Sequence, residues 1–338
     1  MTRPTPDWRA ERPWLADVTV CDSLLSWTGD LLPPGAELAE QLKRYHESGF
    51  DHVSLTLAAG VAPPARAVAR FGHVSRVLAP HAEWVCLAHD RTAIEAARAA
   101  GKLAVSFNFQ AATPFDGEPE LVDGFMALGV TRAIIAYNQA NLFGDGCHEP
   151  RNGGLTAQGR DLIARMDAVG MRVDVSHCGE RTARDVLDAD LQHTPIVSHS
   201  NARALYDHER NITDELIRAA GERGCYIGVN GVGFFLGAAD DEIPVQMARH
   251  AAHIAGLAGA DKVGLGLDFM YLEGSDYGFF HAARGRWPRG YPDPPWSFAQ
   301  PEQLGAIVVA LETEGFERGQ MKGLLGGNYL RYVPGAGT

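Results

Sequence analysis

The sequence predicts an α/β fold, a (β/α)8 barrel of the TIM type, as a single domain over residues 1–338. Three observations predict it. Eight short runs rich in Val, Ile or Leu recur along the chain, most followed by a stretch of helical periodicity. Glycines stand where helices should end and strands begin. Polar residues with chemical capacity stand directly after several strand-like runs, at the edge where such barrels build their sites. A doubly wound open sheet is the alternative, but Gly264-Leu265-Gly266 is too fragmentary for a dinucleotide-binding loop.

The strands are expected at 16–21, where Val18, Thr19 and Val20 are β-formers, then at 52–57, 103–109, 133–137, 171–175, 196–198, 225–230 and 262–267. Amphipathic helices are expected between them, at 38–46, 92–100, 157–169, 181–188 and 213–222. Gly101, Gly129, Gly170 and Gly224 precede strands three, four, five and seven. The strands thus occupy about 16–270. Residues 274–295, with Tyr277, Phe279, Phe280, Trp287 and Tyr291, read as a long loop over the barrel mouth, either a lid or an ordinary packed loop. C-terminal helices over 300–333, centred on 304–325, are expected to close the barrel base.

Composition excludes several classes. Apolar residues make up 46% of the chain, enough for a large core, yet no run approaches the ~20 residues of a membrane-spanning helix. A formal charge of −12 argues against general nucleic-acid binding. Residues 1–14 mix Arg, Pro, Asp and Glu and do not read as a secretory signal, so the expected location is cytoplasmic. The five cysteines are scattered and form no CxxC pair, which indicates neither a disulfide framework nor a zinc ribbon.

His177 and His199 each follow a strand-like run and a serine. Two imidazoles meeting at the barrel rim suit a shared metal, zinc above all. Asp268 ends the last strand and can serve as a proton carrier, or as a simple loop cap. Arg210, in Arg210-Asn211-Ile212-Thr213, offers a fork that matches a substrate carboxylate, with a helix-start salt bridge as the alternative. Tyr137 can present its hydroxyl at the mouth. Gln110 ends strand three and Asp22 lies near the end of strand one; a neutral amide is the poorer metal ligand of the two. His250 and His253 share one helix face and read as structural, and Cys178 as a small buried residue.

These stretches together resemble the membrane (renal) dipeptidase family of metal-dependent peptidases, among the amidohydrolase-like barrels. The resemblance runs from about 38 to 333. Its most specific blocks are 137–146, 154–179, 195–230 and 263–269, with Gly326-Gly327-Asn328-Tyr329-Leu330-Arg331 as a closing motif. It implies that His177 and His199 bind metal, that Arg210 grips a dipeptide's terminal carboxylate, that Tyr137 contacts substrate, and that Asp268 carries the proton. Two departures stand out. Family members with two zinc ions carry a His-x-Asp pair at the end of strand one, where this chain reads Val18-Thr19-Val20-Cys21-Asp22-Ser23. They also carry a bridging glutamate where this chain has Gln110. One zinc ion is expected to remain, with Asp22 as a replacement ligand.

The first functional reading is therefore a metal-dependent hydrolase of a dipeptide or similar small carboxylate-bearing amide. A mononuclear non-peptidase (a lactone or amide hydrolase, or a lyase) and a non-catalytic small-molecule binding protein remain open on the same barrel. The partner in each case is a small molecule, with neither nucleic acid nor membrane. Barrels of this kind commonly pair, so a homodimer is the expected assembly.

Overall fold

The computed structural model describes residues 6–26, 37–284 and 291–335. Its strands are β1 (Cys21–Leu25), β2 (His52–Ala59), β3 (Val85–Leu87), β4 (Leu103–Gln110), β5 (Val130–Ile134), β6 (Arg172–Asp174), β7 (Ile196–Val197), β8 (Tyr226–Asn230) and β9 (Val263–Gly266). They run parallel in the order β1-β2-β4-β5-β6-β7-β8-β9, with β3 beside the first half of β4. The sheet curls until its ends meet. Asp268 N donates to Leu24 O at 3.0 Å, and Leu25 bridges Phe269 in parallel. The result is a nearly closed (β/α)8 barrel, as its alternating pattern predicts.

Two strands lie later or earlier than expected, for one physical reason. Strand one is Cys21–Leu25 rather than 16–21, because Asp22 and Ser23 are polar yet fully buried inside the barrel. Strand four is Val130–Ile134 rather than 133–137, because it contains Arg132, only 1% exposed. Polar residues turned into a barrel interior break the apolar run by which buried strands are recognised. The short β3 and the helices Pro64–Leu78 and Ile243–Ala258 add to the expected elements. The barrel interior is tight as well. A Cβ on Gly228 or Gly266 would stand 2.0 Å or 2.1 Å from Ser198 O, so only glycine admits that close approach.

Helices Leu304–Thr313 and Arg318–Lys322 lead to the base of the barrel. There Asn328 Nδ2 donates to Ala260 O and Val263 O at the start of β9. At the opposite end, the mouth segment forms a helix at Gly278–Ala283 and returns through Tyr291 and Trp296; Trp287 lies outside the described residues. No described helix is long and apolar enough to cross a membrane.

Candidate active site

The rim at the C-terminal ends of the strands collects the polar groups. Ser26 follows β1, Gln110 ends β4, Asn138 follows β5, His177 follows β6, His199 follows β7 and Asp268 follows β9. Three of them hold left-handed backbone: Asn138 at φ 59°, His177 at φ 62° and Asp268 at φ 54°. That conformation costs a side-chain-bearing residue on the order of 1–2 kcal/mol. Its recurrence at one rim shows that the fold spends stability to turn these side chains inward.

His177 and His199 face each other, Nε2 to Nε2, at 2.9 Å. His177 Nδ1 meets Asn138 Oδ1 at 2.7 Å, so that nitrogen carries the proton and Nε2 keeps its lone pair. His199 Nδ1 meets Ser198 Oγ at 2.6 Å, and a serine hydroxyl can accept its proton. Burial first, then the Arg210 charge, holds both imidazoles well below their ordinary pKa, so they are neutral at pH 7. Asp268 Oδ2 lies 3.9 Å from His199 Nε2 and accepts from Asn230 Nδ2 at 3.0 Å. Burial raises the Asp268 carboxyl to about 6, against the opposing effects of Arg210 and Asn230.

Arg210 is buried beside the imidazoles. Its Nη2 donates to His199 O at 2.6 Å and its Nη1 to Ser200 Oγ at 2.8 Å, while Nε has no partner among the described residues. It lines, with His177 and Cys147, a cavity of about 430 Å³. Tyr137 stacks on His177 with ring centroids 4.1 Å apart. A second, smaller cavity of about 40 Å³ is lined by Ser26, Tyr137, His177 and Asp268 and walled by Phe234, Tyr291 and Trp296. The fold thus gathers His177, His199, Asp268, Arg210 and Tyr137 at one mouth.

Asp22 is not part of that cluster. Its Oδ1 accepts from Leu24 N and Leu267 N, and its Oδ2 from the Tyr45 hydroxyl at 2.9 Å. Asp22 therefore bolts β1 to the chain after β9, and the expectation of a third metal ligand there is corrected. Because β1 runs on to Leu25, the rim residue of that strand is Ser26. Gln110 in turn donates to Ser26 Oγ and Thr56 Oγ1, both at 3.1 Å. Among the described residues no three His, Cys, Asp or Glu side chains converge as a metal-holding group. Two neutral imidazoles whose Nε2 lone pairs face each other could hold a metal ion between them. The donor set does not fit a pair of ions, since neutral amide and hydroxyl groups stand where further carboxylates would be needed.

Asn138, Asn230 and Ser26 are site residues that motif reading missed. The only sequence signal for Asn138 was an asparagine just past a strand, a residue that tolerates left-handed backbone. His250 Nδ1 accepts from Ala202 N and His253 pairs with Asp214, both structural roles. All five cysteines are free, and burial pushes the Cys178 thiol up to about 12.

A parallel barrel with imidazoles and a carboxylate at its C-terminal rim is the arrangement of a barrel hydrolase. Within that class, the chain belongs to the membrane dipeptidase family (peptidase family M19), which it matches over residues 65–336. That family is metal-dependent. An uncharacterized protein in the pqqA 5′ region of Klebsiella pneumoniae is 38% identical over 52% of this chain and 68% of its own length. An uncharacterized dipeptidase, C965.12, of Schizosaccharomyces pombe is 30% identical over 71% of this chain and 54% of its own. The dipeptidase tcpJ of Claviceps purpurea is 28% identical over 77% and 57%. The chain thus spans little more than half the length of these two dipeptidases. An amidohydrolase from Pseudomonas aeruginosa superposes with a TM-score of 0.83 at 24% identity, covering 95% of this chain and 97% of that one. A metallo peptidase from Rhodobacter sphaeroides, liganded with a phosphinate mimic of L-Ala-D-Ala, gives 0.76 at 20% identity, covering 94% and 98%.

Proposed function

We propose that the protein hydrolyses the amide bond of a dipeptide, or of a similarly small amide with a free carboxylate, using one zinc ion. The observation that carries this reading is the 2.9 Å pairing of the His177 and His199 Nε2 atoms beside the Asp268 carboxylate. His177 and His199 would hold the ion, with Asn138 and Ser198 fixing their ring orientation. The chemistry such an ion supplies is Lewis-acid polarisation of a carbonyl and acidification of water. Asp268 takes the proton from the attacking water and passes it to the departing nitrogen. Arg210 receives the substrate carboxylate, and Tyr137 orients the substrate against His177. A second reading on the same mononuclear site is an enzyme acting on another small amide or a lactone, since the fold does not fix the substrate. Five free thiols support a cytoplasmic setting.

The test is zinc content by elemental analysis together with turnover of dipeptide and lactone panels, with and without added zinc. About one zinc per chain, lost in His177→Ala along with dipeptide cleavage, is the expected result. A protein that takes up no zinc and cleaves no dipeptide would sink the first reading, and lactone turnover alone would favour the second.

Arg210→Lys keeps the charge but loses the fork, so KM for a dipeptide should rise on the order of tenfold to a hundredfold. The same variant should discriminate less than the parent between a dipeptide and its C-terminal amide. Unchanged discrimination would remove Arg210 from carboxylate recognition.

A further inference from the structure

We infer that Ser26 is a catalytic residue whose hydroxyl donates a hydrogen bond to the carbonyl oxygen of the substrate amide. The inference rests on the amide-hydrolase reading above and deepens it. Its basis is a ladder of neutral side chains whose hydrogen-bond directions are fixed from one end.

The fixed end is the Ser54 carbonyl, 2.9 Å from the Asn108 amide. A carbonyl only accepts, so the facing atom is Nδ2 and Asn108 Oδ1 points the other way. That oxygen lies 3.1 Å from Thr56 Oγ1 and also only accepts, so the single hydroxyl proton of Thr56 is directed to it. Thr56 Oγ1 is then left to accept from Gln110, which fixes Gln110 with Nε2 toward it at 3.1 Å. The same nitrogen lies 3.1 Å from Ser26 Oγ, and an amide nitrogen only donates. Ser26 therefore accepts, and its own proton is unspent. Among the described residues no acceptor receives it.

The position of that proton gives it a use. Ser26 is 6% exposed and lines the small cavity together with Tyr137, His177 and Asp268. Thr56 and Asn108 are fully buried and Gln110 is 1% exposed, so the ladder cannot turn over by exchanging with water. A substrate amide seated against His177 and Asp268, which line the same cavity, brings its carbonyl oxygen to Ser26. As water adds, negative charge grows on that oxygen, and a preorientated hydroxyl stabilises it without reorganising. A neutral donor thus serves where a second cation would otherwise act.

Isothermal titration of the zinc-loaded protein with two probes tests this. One is a phosphinate mimic of a dipeptide, which carries the tetrahedral oxygens. The other is the reduced-amide isostere, with CH2 in place of the carbonyl. Ser26→Ala should weaken phosphinate binding about tenfold to a hundredfold, leave the isostere unchanged, and be rescued by Ser26→Thr. Equal phosphinate affinity in Ser26→Ala and parent would overturn the role of Ser26 while sparing the hydrolase reading. Equal losses for both probes would reduce Ser26 to a structural residue. If the parent protein binds neither probe, the amide-substrate reading falls and takes the role of Ser26 with it.

Discussion

Asp268→Asn is expected to lower kcat on the order of 10²- to 10⁴-fold while leaving zinc content and fold intact. The two side chains have the same shape, and the asparagine oxygen can keep the contact from Asn230 Nδ2 that Asp268 Oδ2 makes at 3.0 Å. What is lost is the capacity to take up and return a proton. Burial places the carboxyl at about 6, close to the ideal for a group that must do both near neutrality. The pH dependence has a definite sign. Above its pKa the carboxylate is ionised and can accept a proton; below it the group is already protonated, so kcat should fall on the acid side, at a pH that a bound cation moves below the metal-free value of about 6. Steady-state rates across that range, with zinc measured on the same samples, decide the matter. A variant that keeps the parental kcat, or keeps the acid limb, removes Asp268 as proton carrier. A variant that loses its zinc makes Asp268 a ligand instead.

That Asp268 is legible in the sequence and Ser26 is not has a physical origin. Strands β2 and β4 run eight residues each, and Val53, Leu55, Leu57, Val105, Phe107 and Phe109 announce them even though Ser54, Thr56, Ser106 and Asn108 stand between. His177, His199 and Asp268 follow β6, β7 and β9, short strands where Val173, Val175, Ile196, Val197, Val263, Leu265 and Leu267, in and beside them, still read as apolar runs in the sequence. Strands β1 and β5 were displaced because Asp22, Ser23 and Arg132 turn polar groups inward, and the displacement of β1 carried straight into the site. It made Asp22 look like a rim ligand and hid Ser26, the true rim residue. The hydrogen-bond ladder was invisible for another reason. Ser26, Thr56, Asn108 and Gln110 come from three strands, and neutral side chains paired across neighbouring strands leave no spacing in the sequence. Asn138 likewise acts through the ring it orients, a role that only its 2.7 Å contact with His177 reveals.

The largest stability effect is expected at a residue far from any motif. Arg132→Met should destabilise the protein by about 3–5 kcal/mol, the usual consequence of removing one partner from a buried ion pair. Arg132 and Asp174 are 1% and 0% exposed, and Arg132 Nη1 lies 2.6 Å from Asp174 Oδ2. Arg132 Nη2 also donates to Ser23 O, which ties β5 to β1 across the barrel. Asp174 Oδ1 accepts from Ser176 N at 3.0 Å and Ser198 N at 3.1 Å, so one carboxylate sets the turns that carry both His177 and His199. Methionine fills most of the arginine volume but strands that charge in the barrel interior. The discriminating variant is therefore Arg132→Met with Asp174→Asn. Asparagine removes the charge and keeps an acceptor for the two amides, so the double variant should recover part of the loss in urea denaturation. A double variant no more stable than the single one would mean that lost packing, not the stranded charge, sets the cost. Zinc affinity should follow the same order, parent above double above single, because the turns that aim the two imidazoles hang from Asp174.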